Sequence, residues 1–399
     1  MSILKNRNFL FFFLADIMSG FGVGMSTIGA NWYLLDETGS SGAVGVMLAL
    51  NVIAGFLVSP LTGILTDKFN RKVVIQITFI LRAVAIGILT VAFLLDGFTI
   101  GYIYIFSIVN GIGWSIYMSA SRSLIQELLT GEQLSKGNSL VEISLQVGMF
   151  MAGAASGFIY RFAGFEAILL INSLMFVICS LFMMFVKYES SLLDKDEGYL
   201  LSFKKGIQYL YSHRLTFLLG VVAAIPLVAT MVFNVVLPEY VSETLNADSV
   251  VFGFSDMAYG FGGLLSGFLA APFAKKVTKT RAVQIIFILS IITLLGLSLN
   301  TMIFIIFLGS FIIGFSNSSI RIMMNTLLME IVPKALMGRA MSVWMGIALF
   351  LQAVFASVLG LLIDIFSPSI GFICMGALML CGLTLHYVIS KKKDKKNYQ

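Results

Sequence analysis

Twelve apolar runs, each roughly the 20 residues that an α-helix needs to cross a hydrocarbon core of about 30 Å, divide this chain. They fall near 9–35, 43–65, 73–95, 100–122, 139–160 and 165–187, and then near 215–238, 250–273, 282–299, 302–325, 340–363 and 368–390. Short charged segments separate them. A soluble domain of 399 residues would carry about a quarter charged side chains, whereas this chain has 12%, with 58% apolar. The pattern predicts an all-α membrane protein with twelve transmembrane helices. The first run is too long for a signal-peptide core and has no clear cleavage site, so it reads as a retained helix. Ser2 follows Met1, which rules out the glycine that N-myristoylation requires.

Charge placement predicts orientation, because short cytoplasmic loops collect Lys and Arg. One side holds Lys5, Arg7, Lys68, Arg71, Lys72, Lys136, Lys187, Lys195, Lys204, Lys205, Arg214, Lys275, Lys276, Lys279, Arg281, Lys334, Arg339 and the tail lysines. The other holds Asp36, Glu37, Asp96, Glu239, Glu243 and Asp248, with Arg161 its one clear basic residue. Both termini are therefore expected in the cytoplasm of a multi-pass cell-membrane protein. The net charge of +6 is accounted for by these loops and does not indicate nucleic acid. Cys179, Cys374 and Cys381 lie in apolar runs without metal spacing, and His213 and His386 are isolated, so no metal and no cofactor is expected.

The halves repeat. At an offset of 204 residues, Gly63, Phe69, Arg71 and Lys72 meet Gly267, Phe273, Lys275 and Lys276. At 203, Gly111, Glu127, Lys136 and Ser139 meet Gly314, Glu330, Arg339 and Ser342. Coinciding loop charges point to duplication of a six-helix unit. The expected organisation is a six-helix bundle over 1–187, a cytoplasmic linker over 188–214, a second bundle over 215–390 and a basic tail over 391–399.

The loop Gly63-Ile-Leu-Thr-Asp67-Lys-Phe-Asn-Arg71-Lys72 resembles the signature between helices two and three of the major facilitator superfamily. Asn70 stands where that pattern has Gly, and Asn is expected to accept the left-handed turn there. The opening LKNRNFLFFFLADIMSGFG, SASRSLIQELL at 119–129 and MEIVPKALMGRAMS at 329–342 resemble the macrolide-efflux-like branch, which also includes siderophore exporters. Two features depart from the drug-antiporter pattern. Ala154 follows Gly153 where Pro is usual, and 103–118 contains no basic residue.

The resemblance implies two pseudo-symmetric six-helix bundles with helices one, four, seven and ten around a cavity. It implies a gating role for Gly63, Asp67, Arg71 and Lys72. Asp67 would meet the positive N-terminal end of helix eleven near Gly338 to Met341, in a contact made only when the inner side closes. As a plain topology signal, Arg71 and Lys72 would simply anchor the inner side.

Charges at membrane depth are costly and are functional candidates by default. Asp16 lies nine residues after Arg7, about 13 Å along the first helix, and is a candidate for proton coupling or for a structural pair. Glu142, one turn from Gln146, is a second coupling candidate, with Arg122 as a competing partner. Arg82 is a candidate structural ion-pair partner, and substrate contact is its alternative. Arg321 either snorkels to the cytoplasm or holds an anionic substrate. Asn31, Trp114, Tyr117, Asn234, Asn317 and Gln352, with Asn110 and Phe233, could line a cavity for amphipathic ligands. Asp256 and Tyr259 form a further pair.

The reading is a monomeric secondary exporter of small amphipathic molecules, macrolide-like drugs included, driven by protons through alternating access. A siderophore exporter is the alternative, and a lipid or lysolipid transporter is third. A non-transporting membrane sensor would ordinarily append a soluble domain, for which no loop has room. No nucleophile elbow, metal-ligand pair or P-loop lysine points to an enzyme.

Overall fold

A computed structural model describes residues 5–129, 132–187 and 207–396, which leaves most of the linker and the end of the tail outside the described residues. The helices are α1 (Arg7–Thr38), α2 (Ser41–Lys68), α3 (Arg71–Asp96) and α4 (Ile100–Leu128). Glu132–Met184 follows as one hydrogen-bonded stretch broken at Gly164, whose φ of 79° a side chain would strain. Its two arms are α5 (132–163) and α6 (165–184). The second half holds α7 (Arg214–Glu239), α8 (Ser249–Val277), α9 (Lys279–Ser298), α10 (Ile303–Ile331), α11 (Lys334–Ile365) and α12 (Pro368–Lys396). Among the described residues, eleven stretches are long and apolar enough to span a bilayer, and one of them, Val147–Met184, contains the Gly164 break. Counting its arms separately gives twelve.

Most helices outrun their apolar sequence. α5 starts at Glu132 and α11 at Lys334, seven and six residues before the apolar runs expected there. Apolarity marks where the hydrocarbon ends, while the backbone ladder continues until a cap satisfies its free groups. Asn6 caps α1 through the amides of Asn8 and Phe9, at 3.0 and 3.4 Å. Asn70 does the same for α3, accepting from Lys72 at 3.0 Å and Val73 at 3.4 Å. This corrects the expected left-handed turn. Asn70 has φ −59° and ψ 117°, because its side-chain oxygen serves the helix as an N-cap.

The chain forms two compact units. The first gathers α1, α2 from Met47 onward, α3 to α6, and Asp248–Met257 at the start of α8. The second gathers Ser40–Val46 at the start of α2, α7, α8 from Ala258 onward, and α9 to α12. In the first, α1 packs on the Glu132–Met184 pair and α3 packs on that pair and on α4. In the second, α12 packs on α9 and α7, and α10 also packs on both.

Small residues set the spacing. A Cβ at Gly148 would fall 2.8 Å from the Phe21 amide nitrogen, so α1 and α5 touch backbone to backbone. The repeat reappears in such contacts. A Cβ at Gly111 would fall 2.0 Å from the Asn51 carbonyl, and one at Gly314 would fall 2.0 Å from the Tyr259 carbonyl. The repeated ion pairs differ from the sequence alignment. Arg71 pairs with Glu127, but the counterpart Glu330 pairs with Lys279, not with Lys275. α8 runs on through Lys275 and Lys276 to Val277, so the cation at the next helix start lies one turn further along.

α3 shows how a helix faces lipid and core at once. Ile77, Leu81, Val84, Ile88, Val91 and Leu95 follow each other at three- and four-residue steps and are exposed. Such an apolar stripe suits hydrocarbon. Arg82 lies on the opposite, buried face.

Candidate functional site

In the first unit, Asp16 is 1% exposed in α1. Tyr117 of α4 and Ser144 of α5 both donate hydroxyl hydrogen bonds to its carboxylate. The Tyr117 ring is held by Phe79 at 5.2 Å and Trp114 at 6.3 Å between centroids. Cys179 of α6 donates to the Ala15 carbonyl at 3.2 Å, beside Asp16. A carboxylate removed from water is tolerated where hydrogen bonds replace its hydration. Here three other helices converge on it.

Arg82 belongs to the same interior but has different partners. It is 2% exposed, and its Nη2 donates to Asn110 Oδ1 at 2.5 Å. Its guanidinium lies 4.0 Å from the centre of the Phe176 ring, a cation–π contact that is strongest when desolvated. Nε and Nη1 have no hydrogen-bond partner among the described residues. Arg82, expected as a structural ion-pair partner, thus gives its hydrogen bond to the Asn110 amide oxygen and not to a carboxylate among the described residues. The reason is the path of the arginine stem, which crosses α4 at Gly113. There a Cβ would fall 2.3 Å from Arg82 Cδ and 2.7 Å from Nε. Gly113 and Phe176 serve Arg82, while Tyr117 and Cys179, about one turn further along the same two helices, serve Asp16.

In the second unit, Thr230 of α7, Tyr259 of α8 and Asn317 of α10 meet. The Thr230 and Tyr259 hydroxyls are 2.6 Å apart, and Asn317 Nδ2 donates to both, at 3.3 and 3.1 Å. Phe233 stacks on Tyr259 at 4.9 Å. Asn317 is 3% exposed, and its Oδ1 has no partner among the described residues. A cleft in the same unit is lined by Ala223 and Leu227 of α7, Asn325 of α10, and Met341 and Trp344 of α11. Trp344 Nε1 donates to the Phe217 carbonyl at 3.2 Å.

The other expected residues fall as follows. Asn31 is buried in α1, and Trp114, Asn234, Arg321 and Gln352 are partly exposed on α4, α7, α10 and α11. Tyr117 gives its hydroxyl to Asp16, and Asn317 gives its Nδ2 to Thr230 and Tyr259 while its Oδ1 has no partner among the described residues. Arg71 meets Glu127 across α3 and α4, and the Lys72 ammonium donates to the Met184 carbonyl at 3.1 Å. The surroundings of Gly63, Gly338 and the Asp67 and Glu142 side chains lie outside the described residues, so the expected contact of Asp67 near Gly338 to Met341 does too. Among the described residues, no cluster of His, Cys, Asp and Glu could hold a metal ion.

Sequence reasoning missed Ser144, Thr230 and the environment of Glu239. Glu239 was expected in an outer loop; it is 3% exposed at the end of α7 and accepts from the Ser41 hydroxyl. Nearby in the second unit, Asp364 of α11 accepts from Ser40 at 2.7 Å and from the Gly42 amide at 3.2 and 3.1 Å. A serine pair after Gly39 and a lone carboxylate at each helix end were the only signals. Nothing local joins residues nearly 200 positions apart.

The sequence model of the Major Facilitator Superfamily matches residues 12–232 and 219–398. The chain is 23% identical to an MFS-type transporter of Bacillus subtilis (strain 168), YkuC, over 98% of this chain and 94% of that one. It is 22% identical to macrolide efflux protein A of Streptococcus pyogenes, over 88% of each. Its fold is similar to that of the nucleoside transporter NupG, with a TM-score of 0.76 at 12% identity over 98% of this chain and all of that one. It is equally similar to a bacterial homologue of the human lysosomal transporter Spinster in an inward-facing, occupied conformation, with a TM-score of 0.76 at 12% identity over 96% of each.

Proposed function

Because this chain belongs to the Major Facilitator Superfamily, we propose that it exports small amphipathic molecules, macrolide-like drugs among them, in exchange for protons and by alternating access. Membership makes it a multi-pass membrane transporter of small molecules and not an enzyme. The proposal adds direction, driving ion and substrate class. Direction and class draw support from the similarity to macrolide efflux protein A along most of both chains. Proton coupling rests on one observation, the Asp16 carboxylate held inside the first unit by the Tyr117 and Ser144 hydroxyls.

Both hydroxyls donate when Asp16 is ionised. When it is protonated, it loses its negative charge and its own O–H becomes a donor, so both of these hydrogen bonds weaken. Protonation therefore changes how α1 is tied to α4 and α5. A site that differs between two protonation states can bias two conformations. The loop from Gly63 to Lys72, with Asp67, Arg71 and Lys72, is the proposed inner gate, and both termini are proposed to face the cytoplasm.

The test uses everted vesicles and a labelled macrolide. An acid-interior gradient should drive uptake by the wild type, while Asp16→Asn loses driven uptake and keeps downhill exchange. Full gradient-driven transport by a stable Asp16→Asn protein would eliminate the coupling role. A second reading, export of a carboxylate siderophore, is favoured by one residue. Arg321 carries no ion pair among the described residues, whereas Arg82 is committed to Asn110 and Phe176.

A further inference from the structure

We infer that Asn317, Arg321 and Asn325 form a subsite on α10 of the second unit that takes an anionic group, a carboxylate above all, on an amphipathic substrate. The inference rests on the transporter reading and adds to its substrates molecules bearing such a group.

The three residues lie at successive four-residue steps. Each step turns an α-helix by roughly 40°, so all three occupy one face. Both ends of that face are located by contacts. Asn317 reaches Thr230 of α7 and Tyr259 of α8. Asn325 lines the cleft with Ala223 and Leu227 of α7 and Trp344 of α11. Thr230, Leu227 and Ala223 are themselves spaced by three and four residues, so one face of α7 serves both ends. Arg321 stands between the two asparagines and is partly exposed.

The chemistry of this face is unspent. No hydrogen bond or ion pair engages the Arg321 guanidinium among the described residues. The buried Asn317 Oδ1 also has no partner among them. Arg71, by contrast, pairs with Glu127 and Lys279 with Glu330. A guanidinium offers a planar fork of donors that fits a carboxylate with two parallel hydrogen bonds. Asn317 Oδ1, about one turn from Arg321, would accept a hydrogen bond from a hydroxyl or amide of the same molecule. Phe233, stacked on Tyr259, and Trp344 bound the face with apolar rings. Arg321 lies ten residues before Ile331, about 15 Å from the end of α10.

The experiment compares 6-(nitrobenzoxadiazolylamino)hexanoate with its neutral carboxamide. Binding to the purified transporter in phosphatidylcholine nanodiscs is read by fluorescence polarisation without any gradient. The wild type should bind the acid about tenfold or more tightly than the amide, the effect of one charge-assisted pair. Arg321→Gln should erase the preference while still binding the amide, and Arg321→Lys should keep part of it. Equal binding of acid and amide to the wild type, binding of neither, or a preference that survives Arg321→Gln would overturn the subsite. Loss of the amide as well in Arg321→Gln would also overturn it, since the residue would then be supporting the fold. Proton-driven macrolide uptake is measured separately, so failure of the exporter reading and failure of this subsite give different results.

Discussion

Gly113→Ala should destabilise this protein far more than its size suggests. A Cβ there would fall 2.3 Å from Arg82 Cδ, whereas carbon atoms in contact stay near 3.7 Å. The arginine stem would have to retreat by roughly 1.4 Å. Its Nη2 sits 2.5 Å from Asn110 Oδ1, so a shift of that size carries it beyond hydrogen-bond range. A hydrogen bond to a charged group is worth about 1.5–3 kcal/mol, and a desolvated cation–π contact such as that with Phe176 adds up to about 2. Alanine returns about 1 kcal/mol of helix propensity. The net loss is about 0.5–4 kcal/mol, at the upper end when the cation–π contact is lost with the hydrogen bond.

Thermal unfolding of the detergent-purified protein, followed by tryptophan fluorescence, reads this. Gly296→Ala is the control, because no atom lies within 4 Å of a Cβ at that position. Gly113→Ala should melt well below it. In an Arg82→Met background, where the stem is unanchored, the same alanine should cost less than about 1 kcal/mol, which is the non-additivity expected of residues in contact. If Gly113→Ala and Gly296→Ala melt together, the described route of Arg82 across α4 is wrong.

Three further outcomes follow from the same contacts. Arg71→Ala should lower stability, by about 1–3 kcal/mol, because it removes the charge-assisted hydrogen bond to Glu127, and Glu127→Gln should recover part of that loss in unfolding measurements. Gly45→Val, whose Cβ would fall 2.2 Å from the Ala356 carbonyl oxygen, should be poorly folded by size-exclusion chromatography, since a backbone atom cannot swing aside. For topology, cysteines at Glu37 and Asp248 should react with an impermeant thiol reagent in intact cells and one at Asp196 should not; the reverse pattern would invert the proposed orientation.

The number of helices, their approximate limits and the two-fold repeat were legible in the sequence. A run of about 20 apolar residues must bury its backbone in hydrogen bonds within lipid, so helix formation there is a local property. Gly111 and Gly314 could be matched before any contact was known, and both then proved to touch a neighbouring backbone. The ends of α3 and α5 were less visible, because a cap such as Asn70 lies in polar sequence that hydropathy ignores. What the tertiary structure alone decided is which way each helix is turned. A helix that is apolar on most sides can be rotated without changing its partition into lipid, so the sequence leaves its phase open. Packing of glycine seams such as Gly148 on α1 settles that phase. Only then does Asp16 meet Tyr117 and Ser144, more than 100 residues away, while Arg82 is led past Gly113 to Asn110.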